Sequence, residues 1–135
     1  MVIQQKEAVF NIVVCCAALI LYVVLRLFVG PYQSHAAFSL LALQAISVLI
    51  RRRVARKGGI TLDERDLAIR HKAAIIGFSI FWLFFVGFSL ATFYANQQTG
   101  MVSVNLWILM VFTGWIVLYL AWSVAALVLY RQGKV

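Results

Sequence analysis

Long uninterrupted apolar runs, rather than alternation, dominate this chain. No charge falls between Ala8 and Leu25 (18 residues), between Leu27 and Ile50 (24) or between Ala73 and Tyr130 (58). A bilayer core about 30 Å thick takes about 20 residues of helix. The first two blocks each suit one crossing. The third suits two, with a turn at Asn96-Gln97-Gln98-Thr99-Gly100 that runs on loosely to Asn105. Gly30-Pro31 separates the first two helices, because proline lacks an amide hydrogen and clashes with the preceding turn. The pattern predicts one all-α domain with four helices at about 8–29, 33–56, 62–95 and 104–131. A membrane barrel is not expected, since even a small one needs about eight alternating segments.

Composition narrows the class further. Hydrophobic residues make up 64% of the 135 and charged residues only 12%, against about 25% charged in a soluble domain. Neither a soluble globular fold nor a disordered chain fits. The net charge of +8 comes from 12 Lys+Arg against 4 Asp+Glu, and it is unevenly placed. Lys6 precedes the first helix, eight basic residues lie within 51–72, and Arg131 and Lys134 follow the last helix. The connections Pro31–His35 and Asn96–Asn105 carry no charge. By the positive-inside rule both termini and the central segment face the cytoplasm, in a multi-pass protein of the inner cell membrane with one fixed orientation. Cleavage of the first helix as a signal peptide after Ser34-His35-Ala36 is the competing reading. It is disfavoured because the apolar stretch exceeds a typical signal core.

The segment 51–72 carries a net +5, with eight basic and three acidic residues. Arg51, Arg52, Arg53, Arg56 and Lys57 continue the second helix, and Gly58-Gly59 ends it. Thr61-Leu62-Asp63-Glu64 matches a capping box for the third helix. Asp63, Glu64 and Asp66 place negative charge on the positive end of that helix, and Asp66 can pair with Arg70 one turn on. The segment reads as a basic helical hairpin. Its cations serve as a topology anchor touching anionic lipid, or more sharply as a docking surface for an acidic regulatory partner. Nucleic acid is not expected, because the segment has no aromatic residue for base stacking.

The run Leu62-Asp63-Glu64-Arg65-Asp66-Leu67-Ala68-Ile69-Arg70-His71-Lys72-Ala73-Ala74 resembles the D-E-R-x-x-x-I-x-x-K-A-A box of a family of small prokaryotic four-helix membrane proteins of unknown function. In that family the box lies between the second and third membrane helices, as predicted here. Its members are often encoded beside helix-turn-helix regulators, which implies regulation rather than metabolism. The resemblance gives Asp63, Glu64, Arg65, Ile69 and Lys72 the status of motif positions and implies no catalytic role.

Within the predicted spans the chemistry is sparse. Asp, Glu, Lys and His are absent from mid-span positions, which argues against a proton-coupled exporter. Arg26 lies near the far end of the first helix. It either snorkels to lipid phosphate or forms an outward-facing anion site. Cys15-Cys16 resembles the vicinal pair of mercuric-ion transporters, whose second pair is absent here; otherwise the two are packing residues. Asn11 and Gln44 are expected to bond across helices. Gly87/Ala91/Ala95 and Ala121/Ala125 form small-residue stripes for close packing, within one chain or in a homodimer. Trp115, Tyr119 and Trp122 share one face of the fourth helix, as core or as a platform for a lipid. Tyr32, Tyr94, Trp107 and Tyr130 suit interfacial belts. His35 and His71 fall on opposite sides, so they cannot share one metal or haem.

No nucleophile–base pair, metal cluster or phosphate loop appears, and neither an enzyme nor a bound cofactor is expected. The leading expectation is a regulatory or accessory subunit acting through the 51–72 hairpin. A small oligomeric transporter or channel for an ion, small solute or soft metal, lined by Asn11 and Gln44, is the alternative.

Overall fold

A computed structural model describes residues 3–46, 49, 64–98 and 100–132. These residues form no strand. Helix α1 spans Ile3–Phe28, a 3-10 segment spans Gln33–Ala42, α2 spans Glu64–Ala95 and α3 spans Val104–Gln132. All three α-helices are long and apolar enough to cross a membrane. At 32 residues, α2 is about 48 Å long and exceeds a bilayer core of about 30 Å.

The turns follow from local chemistry. Gly30 takes a φ of +134°, a conformation that L side chains rarely adopt. Asn96 Nδ2 donates to Thr92 O at 2.8 Å, and Gly100, with φ +64°, donates its amide to Asn96 O at 2.9 Å. Together they satisfy carbonyls at the end of α2. Ser103 Oγ accepts the Leu106 amide at 3.3 Å and caps the start of α3.

Helix α3 is central, packing against α2, α1 and the 3-10 segment. The starts of α1 and α2 and the end of α3 meet at one pole. There Ala8, Ala73, Ala125 and Ala126 are buried together. Farther along, Val14, Cys15 and Ala18 of α1 pack with Phe38, Leu41 and Ile116.

The second predicted helix differs from its expected winding. Ten residues, Gln33–Ala42, form a 3-10 helix, and α-helical winding follows at 43–46. With three residues per turn, side chains three apart eclipse one another. Phe38, Leu41 and Gln44 are therefore brought to one face, and all three are buried. An α-helix would rotate Gln44 about 120° away from Phe38. Helix α1 also begins earlier than expected, at Ile3 rather than near residue 8, because its polar first turn is held by a side-chain contact described below.

Burial is inverted relative to a water-soluble domain. Gln44 is 2% exposed and Asn11 8%, whereas Leu83 is 76% and Phe28 83% exposed. That pattern suits a chain surrounded by lipid.

Candidate functional site

Three polar clusters stand out. The first closes the pole where α1 and α2 begin. Tyr130 Oη lies 2.7 Å from both Gln4 Oε1 and Asp66 Oδ1. A phenol has one hydrogen. Donating it to the carboxylate leaves the phenol oxygen to accept from the Gln4 amide. Exchanging the amide's O and N provides that donor and gives Gln4 Nε2, otherwise unpartnered among the described residues, its bond. One hydroxyl thus ties together the ends of all three α-helices.

This tie explains how the D-E-R box sits. Ile69 and Ala73 are fully buried, with Ala73 in the alanine cluster shared by α1 and α3. One turn before Ile69, Asp66 holds Tyr130. Glu64, Arg65 and Lys72 are exposed. The described part of the box therefore has an anchoring face, Asp66/Ile69/Ala73, and a free face, Glu64/Arg65/Lys72. Asp63 and the basic run Arg51, Arg52, Arg53, Arg56 and Lys57 lie outside the described residues, as do Gly58-Gly59 and the Thr61 cap.

The second cluster is interior. Gln44 Nε2 donates to Cys15 Sγ at 3.2 Å, and Trp115 Nε1 donates to Gln44 Oε1 at 2.8 Å. Gln44 thereby joins its own segment to α1 and α3. Asn11 lies one turn before Cys15 and is buried, with no partner for its Oδ1 among the described residues. Cys15 is buried and Cys16 exposed, both as free thiols, because neighbours on a helix point about 100° apart. No group of three His, Cys, Asp or Glu that could hold a metal occurs among the described residues.

The aromatic face of α3 is a continuous ladder. Trp115 stacks on Tyr119 with centroids 5.2 Å apart, and Tyr119 meets Trp122 at 6.0 Å. Its first ring carries the indole N–H that holds Gln44, and the backbone and Cβ of its last residue, Trp122, lie against Gly77. A Cβ on Gly77 would lie 2.9 Å from Trp122 Cβ and 3.1 Å from two Trp122 backbone atoms.

The third cluster is at the opposite pole. Arg26 Nη1 donates to Tyr22 Oη at 3.0 Å. The Tyr22 ring lies 6.0 Å from His35 and stacks on Phe38 at 5.1 Å. Both His35 nitrogens are buried without a hydrogen-bond partner among the described residues.

Close approach within the chain uses Ala73 and Gly77, with Ile69 buried one turn before them at the same i, i+4 spacing. The small-residue stripe expected to pack, Gly87/Ala91/Ala95, is exposed, with nothing within 4 Å of a Cβ placed on Gly87. Tyr130, expected as an interfacial ring, is also the hub of the polar tie.

No protein-family model, curated protein or solved structure matches this chain.

Proposed function

We propose that the chain is a membrane-embedded, non-enzymatic regulatory or accessory subunit whose basic 51–72 segment docks an acidic cytoplasmic partner. The observation that carries this reading is the division of the D-E-R box into an anchored face and a free face. A docking element needs charge turned outward on a mount that does not swivel. Glu64, Arg65 and Lys72 supply the charge, while Asp66, Ile69 and Ala73 supply the mount. The basic run Arg51–Lys57 adjoins that mount in sequence. The positive-inside rule puts that run, and with it both termini, on the cytoplasmic side.

Flux through a pore lined by Asn11 and Gln44 has less support. Both polar ends of the Gln44 amide are engaged inside a single chain, with Cys15 and Trp115.

Affinity purification from native membranes after crosslinking tests the docking reading. A defined partner is expected to be retained by the wild type and lost when Arg51, Arg52, Arg53, Arg56 and Lys57 are reversed in charge, with topology unchanged. If nothing co-purifies, and the reversal alters only topology, docking is wrong. Substrate-dependent uptake into proteoliposomes, lost in Gln44→Leu, would favour transport instead. The mount has its own test. Tyr130→Phe is expected to cost about 1 kcal/mol and to speed hydrogen exchange in the first turns of α2, leaving mid-α3 protected. Unchanged exchange there would remove the tie from the mechanism.

A further inference from the structure

We propose that Arg26, Tyr22 and His35 form a binding site for a phosphate-class oxyanion at the pole opposite the D-E-R box. This site is independent of the docking reading. It rests first on charge. The chain's four acidic residues are Glu7, Asp63, Glu64 and Asp66. Glu7 precedes Arg26 by nineteen residues on the same helix, about 28 Å away. Asp66 is held at the Gln4–Tyr130 pole, where Glu64 begins the same helix, and Asp63 adjoins Glu64 in sequence. The guanidinium therefore takes its counter-charge from outside the chain.

Geometry points to what that counter-charge is. Arg26 is exposed and spends one N–H on Tyr22. A guanidinium has five such donors in a planar fork that matches two oxygens of a phosphate. Because Tyr22 Oη accepts from Arg26, its own hydrogen is left to donate to the same anion. Tyr22 also links the cation to His35, whose ring it meets at 6.0 Å. Burying an imidazole nitrogen without a hydrogen-bond partner is unfavourable, and both His35 nitrogens are buried without one among the described residues. An oxyanion on the Arg26–Tyr22 pair supplies an acceptor for the imidazole N–H once that ring turns. Simple snorkelling of Arg26 accounts for the cation but leaves the His35 N–H without an acceptor among the described residues. The same chemistry serves a lipid headgroup or a free phosphate.

The chain has two histidines, and His71, on the first turns of α2, is an internal control. The full chain is purified in a phosphate-free maltoside detergent with labelled histidine. Inorganic phosphate and dihexanoyl phosphatidylglycerol are titrated separately, with chloride as the ionic-strength control, and imidazole NMR signals are followed. His35 signals are expected to shift to saturation while His71 stays still. Saturation by phosphate identifies a soluble oxyanion; saturation by the lipid alone identifies a headgroup. Arg26→Gln is expected to weaken the response by at least about tenfold and Tyr22→Phe by about fivefold. Arg26→Lys, which still snorkels, is expected to fall between wild type and Arg26→Gln. Unmoved His71 signals report that each variant is folded. The site is refuted if neither probe moves His35 beyond the chloride control, or if Arg26→Gln and Tyr22→Phe both titrate like wild type.

Discussion

Against α2, the central helix α3 meets small residues; against α1 and the 3-10 segment it meets rings and amides. On the first seam, Gly77 lets the α2 backbone come down on Trp122, and Ala73 lies against Ala125 and Ala126. On the second, Phe38 stacks on Phe112 with centroids 4.6 Å apart, and Gln44 bridges Cys15 and Trp115. Lipid tails are as apolar as leucine, so hydrophobic burial gives little drive for one membrane helix to choose another. The two seams show the remaining ways to hold helices together. One maximises van der Waals contact by removing side chains. The other uses directed bonds that lipid cannot replace.

Removing each device in turn separates them. Gly77→Ala should have the largest effect, because backbone atoms of Trp122 cannot give way as a side-chain tip can. A loss of about 2–3 kcal/mol is expected, read as a lower melting temperature by circular dichroism in detergent. A melt like that of wild type would mean that the α2–α3 seam is looser than described. Gln44→Leu comes next. It keeps the volume but strips the Trp115 N–H of its acceptor, for about 1–2 kcal/mol. Trp115 fluorescence should change with it, and an unaltered emission maximum would count against the bridge. Gly87→Ala should be smallest and of opposite sign, a gain of about 0.5 kcal/mol from helix propensity in open space. A loss there would reveal that the Gly87/Ala91/Ala95 face packs on something, with a second copy as the first candidate to check by size.

Much of this was legible along the chain. The end of α2 at Ala95 coincides with the start of the polar break at Asn96–Gly100, since side-chain amides and glycine stop helices by local chemistry. The i, i+4, i+7 spacing of Trp115, Tyr119 and Trp122 was enough to place them on one face. Arg26 and Gln44 stood out because polar groups are rare in apolar runs. The partners were harder to read. Asn11 and Gln44 look equivalent in sequence, yet Gln44 meets two partners and the Asn11 oxygen none among the described residues. Tyr130 looked like any aromatic at a helix end until Gln4 and Asp66, 126 and 64 residues away in sequence, met at its hydroxyl.

What the residues determined by themselves is a matter of counting: long uncharged runs, their breaks, and cations gathered in one segment. These depend only on the cost of taking charge and unpaired backbone into an apolar medium, which neighbours in space hardly change. Tertiary structure alone decided which faces meet. Whether residues 33–42 wind with three or 3.6 residues per turn depends on what Phe38, Leu41 and Gln44 must touch, and those contacts lie on other helices. The same holds for the two glycines: Gly77 and Gly87 are alike in sequence, and only the position of Trp122 makes one of them indispensable.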